Sequence, residues 1–271
     1  MKTLQIVWKE LKLHYKSLLI FTGIMSLFFL WFVTFYDPEL FTGMEELFEN
    51  YPEVVRQIVG EFYNLAEFGG FINVYLFSIS WIYFGIYYIL KSAQNIPKEI
   101  EDKTIDTILS KPITRTEFSL GKYFSIVLEI MILYYGVMLC VLFGILIFPS
   151  VTVNGIFLNE IAFAFLWNFI FMIALISTGF FFSTFLSSKK SLALAFGILI
   201  FFYGIGQFWK SFPEGAQEIR RMSIFFYSDM SNLLVNHVWE NVGLHISILL
   251  VYSVVLTMSA VIIFNKRDIP V

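Results

Sequence analysis

Residues 161–188 read IAFAFLWNFIFMIALISTGFFFSTFLSS and contain no charged side chain. A helix that crosses a lipid bilayer needs about 20 consecutive, largely apolar residues to span a hydrocarbon core about 30 Å thick. This stretch is therefore predicted to be a transmembrane helix.

Five further stretches meet the same requirement. The six predicted spans lie at about 17–36, 68–90, 123–148, 161–188, 191–209 and 242–264. The composition agrees, because only 14% of the residues are charged whereas soluble domains average about 25%. We therefore expect an all-α integral membrane protein, and we expect the first span to be retained rather than cleaved as a signal peptide.

The basic residues predict the orientation. The segment before the first span, the loop 91–122, the turn between spans four and five and the C-terminal segment together carry 14 of the 18 Lys and Arg. Positive residues favour the cytoplasmic side, so we predict a multi-pass cell (plasma) membrane protein with both termini in the cytoplasm. The outer loop 37–67 is acidic, with Arg56 as its only basic residue. The net charge of −3 gives no reason to expect nucleic acid as a partner.

Three segments outside the spans have amphipathic or apolar patterns. Residues 2–16 place Leu4, Trp8 and Tyr15 on one helical face, which predicts an N-terminal helix lying in the inner membrane interface; the alternative is a solvated lead-in to the first span. Residues 44–62 show a helical period and would either cover an external mouth or pack on the outer ends of the spans. The apolar patch 224–227 is expected to reach into the membrane where protein covers it.

The loop 91–122 predicts a short amphipathic helix over 97–110. Pro97 suits the first turn of a helix, Asn95 is available as a cap, and Pro112 ends the helix at about residue 110. Such a helix either couples to a partner at the cytoplasmic mouth or rests on the lipid head groups.

A second helix start is predicted after Pro112. Thr114 and Glu117 fit a capping box, from which a helix would continue into the third span.

The run 98–115, KEIEDKTIDTILSKPITR, resembles the cytoplasmic signature of type-2 ATP-binding cassette (ABC) transporter permeases. Lys103 stands where that family usually has Gly, and the C-terminal FNKRD (264–268) also resembles the family. The matching residues are Thr104, Leu109, Ser110, Pro112, Thr114, Arg115, Gly121 and Lys122.

The resemblance implies a single permease domain over 1–271 whose coupling helix seats in a groove of a separate ATPase subunit. It also implies a second permease copy or a similar permease, in a homo- or heterodimer. ATP and Mg would bind to the ATPase subunit, with no cofactor in this chain. The residues implied for coupling are Glu99, Glu101, Thr104, Ile105, Leu109 and Arg115. Arg115 could instead bind a lipid phosphate or a nearby carboxylate.

The chain has no phosphate-binding loop of its own, because Gly121-Lys122 is followed by Tyr123 and lacks the earlier glycine. The resemblance therefore implies that the chain is the permease subunit, not an enzyme, of an ABC exporter. The few charges in the spans favour an amphipathic or hydrophobic cargo such as a peptide, an antibiotic or a lipid-like compound. The alternative is an ion- or proton-coupled secondary transporter. Its candidate residue is Glu129, which could equally pair with a basic neighbour near the inner interface.

Overall fold

The computed structural model describes residues 2–52, 65, 67–105, 112–148, 157–209 and 213–268. Within these ranges the chain forms helices and no strand. Six helical stretches are long and apolar enough to cross a membrane. The prediction of an all-α, six-span membrane protein is confirmed.

The helices are numbered in chain order. They are α1 (Lys2–Thr34), α2 (Pro38–Glu49), α3 (Phe68–Ile72), α4 (Ile86–Gln94), α5 (Pro97–Glu101), α6 (Arg115–Ile147), α7 (Leu158–Ser183), α8 (Ser188–Gln207), α9 (Ser231–Leu234) and α10 (Val242–Lys266). Two π-helical segments, Asn73–Ser78 and Trp81–Gly85, join α3 to α4 and complete the second span. The first span is α1, and α6, α7, α8 and α10 form the third to sixth.

Helices α1 and α6 pack side by side and run in the same direction. A Cβ on Gly121 would lie 2.8 Å from Ile6, and a Cβ on Gly136 would lie 2.5 Å from Thr22. Both members of the second contact lie further along the chain than those of the first, so the two helices are parallel. Small residues let the backbones of membrane helices approach closely, and glycine is what this interface requires.

The predicted helix 2–16 is present, but it is not a separate element. It continues without interruption into the first span, because residues 2–22 contain no Pro or Gly. At 1.5 Å per residue α1 is about 50 Å long, which exceeds a hydrocarbon core of about 30 Å. Leu4 and Trp8 are exposed as the amphipathic pattern predicts, whereas Ile6 is buried against α6.

Helix α7 is the most buried span and lies at the centre of the bundle. It packs against α4 at Gly179, where a Cβ would collide with Ser92 Oγ and with the Ile89 carbonyl oxygen. Its Asn168 is fully buried, accepts a hydrogen bond from Tyr134 Oη and donates one to the Phe77 carbonyl at 3.4 Å. The Phe77 carbonyl belongs to a π-helical segment of the second span and also accepts a hydrogen bond from Ser80 Oγ at 2.6 Å.

The outer segments differ in part from the prediction. Helix α2 begins at Pro38 and ends at Glu49, earlier than the predicted 44–62, and residues 53–64 lie outside the described residues. The patch 224–227 packs among the spans, with the ring of Phe225 centred 5.6 Å from Trp81 and 5.2 Å from Phe171. Protein therefore covers this patch, as backbone at membrane depth requires.

Candidate functional site: the loop between the second and third spans

The helix predicted over 97–110 ends early, at Glu101. Pro97 occupies its first turn as predicted, but Asn95 does not cap it. The Lys103 N–H donates to the Ile100 carbonyl at 3.2 Å, and the Thr104 N–H donates to the Glu99 carbonyl at 3.0 Å.

This pair of bonds is a Schellman motif, which requires a left-handed residue after the helix end. Lys103 is that residue, with a φ of 54°. Glycine adopts this conformation without steric cost, which accounts physically for the glycine usual at this position in the family that the sequence resembles. The predicted single helix is wrong because the chain reverses at Lys103.

Lys122 anchors this loop to the first span. It is buried, with 3% of its surface exposed, and its ammonium lies 3.0 Å from Glu10 Oε1 and also contacts Glu99 Oε1. The Asn95 side chain donates to the Lys122 carbonyl at 3.0 Å. We call Lys122, Glu10 and Glu99 the Lys122 cluster; it joins α1, α5 and α6 through charge-assisted hydrogen bonds.

A second set of contacts joins the loop to the fifth span. The Glu101 carboxylate accepts a hydrogen bond at 2.9 Å from the backbone N–H of Ser188, the first residue of α8. Carboxylates are favoured at helix N-termini by the helix dipole and the free N–H groups. Ile105 is 1% exposed, so the chain itself buries a side chain that was expected to enter a partner's groove.

Arg115 contacts the C-terminal segment. Its guanidinium donates to the carbonyl oxygens of Arg267 and Asn265, and the Asn265 amide donates to Thr116 Oγ1 at 2.8 Å. Arg267 in turn donates to the Thr184 carbonyl at 3.0 Å, and burial lowers the pKa of its guanidinium. The two stretches that carry the family resemblance are therefore in contact. The predicted capping box of Thr114 with Glu117 starts α6.

One face of the loop remains open. Five consecutive or nearly consecutive side chains are exposed there, and we call them the loop surface: Lys98, Glu101, Asp102, Lys103 and Thr104. Thr104 Oγ1 also bonds to Glu99. Leu109, a further predicted coupling residue, lies outside the described residues.

Glu129 lies outside this site, in the third span. It is 3% exposed and pairs with Lys91 at the end of the second span. The sequence left two roles open for Glu129: a role in transport, or pairing with a basic neighbour. The structure shows such a pair, and the basic partner, Lys91, lies on another helix. Among the described residues, no group of three or more His, Cys, Asp or Glu could hold a metal ion.

Sequence reasoning named Lys122 only as a match to the family, and it gave no role to Glu10 or Ser188. Lys122 is a charged residue at the start of an apolar span, and that position was a usable signal for a buried ion pair. Its partners are 112 and 23 residues away in sequence, so no local pattern could have identified them.

The chain matches a known protein family. The model of a family described as "ABC-2 family transporter protein" matches residues 4–269, nearly the whole chain. The chain belongs to the ABC-2 family of transporter proteins. No curated protein and no solved structure matches it.

As an ABC-2 permease the chain is the membrane component of an ABC transporter and is not itself the ATPase. Permeases of this family generally work with a separate ATPase subunit. The assignment replaces the alternative of an ion- or proton-coupled secondary transporter.

Proposed function

We propose that this ABC-2 permease exports an amphipathic or hydrophobic molecule across the plasma membrane, driven by separate ATPase subunits that dock on its loop surface. ATP and Mg would bind to those subunits. Two permease chains, identical or similar, would form the pathway between them.

One observation carries the proposal. The loop surface is exposed, while the residues behind it are bonded to α1, α6 and α8 through the Lys122 cluster and the Glu101–Ser188 contact. A partner bound to this surface would therefore act on three spans at once. In this proposal Lys98, Asp102 and Lys103 contact the ATPase directly, and Glu101 and Thr104 lie at the edge of the contact. Glu99 and Ile105 hold the loop in its docking conformation, and Arg115 holds the C-terminal segment beside the start of α6.

The spans contain few charged side chains, and this composition supports an apolar or amphipathic cargo. The ionisable side chains of Glu129 and Lys91 neutralise each other, so the described spans offer little to a free ion. Glu129 remains a candidate for a transport role, because it also lines a cavity between the first three spans.

The experiment is co-purification from the native membrane with a tagged chain, followed by vanadate-sensitive ATP hydrolysis. Lys98→Glu combined with Asp102→Lys reverses two exposed charges while the Lys122 cluster and the Glu101–Ser188 contact stay intact. We expect at least about a tenfold loss of bound ATPase, equivalent to about 1.4 kcal/mol. Lys12→Glu, an exposed charge reversal on α1, is the matched control and should change little. Equal ATPase recovery with both variants, or no ATPase with the wild-type chain, contradicts the proposal.

The proposal requires the loop surface to face the cytoplasm, and the common location of the basic segments supports this orientation. The start of α1, the start of α6 and the end of α10 meet at one end of the bundle, where the Lys2 ammonium donates to the Pro112 carbonyl and Arg115 donates to Arg267. All these segments are basic. In a Cys140→Ser background, Lys98→Cys should react with an impermeant maleimide only after the cells are opened. Labelling of Lys98→Cys in intact cells would reverse the topology.

A further inference from the structure

A cavity of about 360 Å³ lies between the first, second and third spans. Its walls include Ser17 and Phe21 from α1, Tyr83 and Tyr87 from the second span, and the ion pair of Lys91 with Glu129. The volume is at the lower end of the range for ligand sites, so the cavity would hold a head group rather than a whole lipid.

The cavity has a polar end and an apolar end. Lys91 and Glu129 form the polar end, whereas the rings of Phe21 and Tyr87, centred 6.1 Å apart, form an aromatic wall. Tyr87 is 53% exposed on the outside of the bundle, so the cavity opens sideways along the surface that faces lipid. His14 lies at the exposed rim. An amphipathic molecule fits this arrangement, with its polar group inside and its chain leaving past Tyr87.

The charges define which polar group fits. An ammonium has three N–H donors, and Lys91 uses one of them for Glu129. Lys91 is 23% exposed, so its other donors can reach a ligand, whereas Glu129 is only 3% exposed and mainly neutralises Lys91. A wholly apolar ligand would leave these donors without partners. A ligand with a net charge would bring an unpaired charge into a partly dehydrated site.

We propose that this cavity binds one amphipathic molecule with a zwitterionic head group, whose anionic part accepts hydrogen bonds from the Lys91 ammonium and whose cationic part lies against the Tyr83 ring. A cation within about 6 Å of an aromatic ring centre is attracted to the face of the ring. Because the Lys91 ammonium already lies 5.8 Å from the centre of the Tyr87 ring, the tyrosine left for the ligand's cation is Tyr83, which also lines the cavity. The identification of this molecule as cargo rests on the proposed function, whereas the binding itself does not.

Binding is measured on the purified chain without an ATPase, by native mass spectrometry. The three probes are dihexanoyl phosphatidylcholine, which is zwitterionic, dihexanoyl phosphatidylglycerol, which is anionic, and dodecyltrimethylammonium, which is cationic. We expect the zwitterion to bind at least about tenfold more tightly than either charged probe. Equal binding of the three probes overturns the proposal.

Two variants test where the molecule binds and how the charges of Lys91 and Glu129 select its head group. Ser17→Trp fills the cavity and should weaken binding of the zwitterion about tenfold or more. Ile20→Trp, on the exposed face of α1 and outside the cavity, is the matched control and should leave binding within about twofold. Glu129→Gln leaves Lys91 without its counter-charge, so the preference should change to the anionic probe. An unchanged order of the probes in Glu129→Gln contradicts the proposal even if Ser17→Trp fails to fold.

The same head group could belong to a resident membrane lipid or to a transported cargo. A resident lipid would remain bound, at one per chain, after purification from the native membrane. A cargo would be absent from the purified chain and would stimulate ATP hydrolysis by the complex. Absence of an ATPase from the purified wild-type chain with intact probe binding would refute the proposed function alone. Absence of probe binding by a wild-type chain that does carry the ATPase would refute this inference alone.

Discussion

Replacing Lys122 by methionine should destabilise the chain far more than replacing an exposed lysine does. The substitution keeps most of the buried stem but leaves Glu10 and Glu99 facing each other without a counter-charge. Their side chains are 13% and 21% exposed, and that of Lys122 is 4% exposed. Removing one partner of a buried ion pair costs about 3–5 kcal/mol. Because both carboxylates keep some exposure, we expect a value near the lower end, about 3 kcal/mol.

The assay is thermal unfolding of the purified chain in detergent. For a chain of this size about 3 kcal/mol corresponds to a fall of about 6–12 °C in the midpoint. Lys12→Met removes an exposed lysine from α1 and should leave the midpoint unchanged within about 1 °C. ATPase docking should weaken together with stability, because the loop loses its connection to α1.

The triple variant Glu10→Gln, Glu99→Gln, Lys122→Met separates charge from packing. It removes the uncompensated carboxylates while the single variant leaves them in place, so it should recover most of the lost stability. A wild-type midpoint for Lys122→Met would refute the buried Lys122 cluster. A triple variant as unstable as the single one would show that the uncompensated carboxylate charge is not responsible for the loss of stability.

Three further substitutions test other contacts. Lys103→Gly should stabilise the chain by about 1 kcal/mol, because it relieves a left-handed residue, and an unchanged unfolding midpoint would argue against the chain reversal at this position. Gly179→Ala should destabilise by about 1–3 kcal/mol, since its Cβ meets backbone atoms of α4. Gly197→Ala, whose Cβ meets nothing within 4 Å, is its control, and equal midpoints for the two would contradict the contact. Arg115→Ala should release the C-terminal segment and speed tryptic cleavage at Arg267; an unchanged cleavage rate would disprove that attachment.

The spans could be predicted from the sequence because burial in lipid dominates every other local preference. The predicted span 191–209 and the observed helix Ser188–Gln207 differ by a few residues at each end. The start of α6 was predicted closely because a capping box is a local device, in which Thr114 and Glu117 bond to each other's backbone. The match of the family model to 4–269 confirms the resemblance on which the function depended.

The geometry of the loop could not be predicted in the same way. Helix propensity and apolar spacing both favoured a continuous helix over 97–110, but neither detects a lysine that adopts a left-handed conformation. The only signal in the sequence was at Lys103, which stands where the family usually has glycine, the residue that favours a left-handed conformation. The Lys122 cluster and the contact of Arg115 with Arg267 are long-range, and they depend on how the spans assemble.

Helix α4 connects the loop surface to the cavity, which suggests how ATPase docking would change the cavity. Helix α4 carries Tyr87 and Lys91 on the cavity wall, and the chain enters α5 three residues after α4 ends. The opposite cavity wall belongs to α1, to which the loop is joined through Glu10. We therefore infer that ATPase closure on the loop surface changes the separation of α1 and α4 and so the width of the cavity.

A cross-link between α1 and α4 tests this coupling. In a Cys140→Ser background, Ser17→Cys and Tyr87→Cys place one thiol on each cavity wall. The rate of cross-linking by a short bifunctional maleimide, measured in the ATPase complex, should change severalfold between the nucleotide-free and the vanadate-trapped states. The charge reversals Lys98→Glu and Asp102→Lys should abolish that change without altering the nucleotide-free rate. A rate that does not depend on nucleotide would mean that the cavity and the loop move as one rigid body, and that docking acts on the pathway elsewhere.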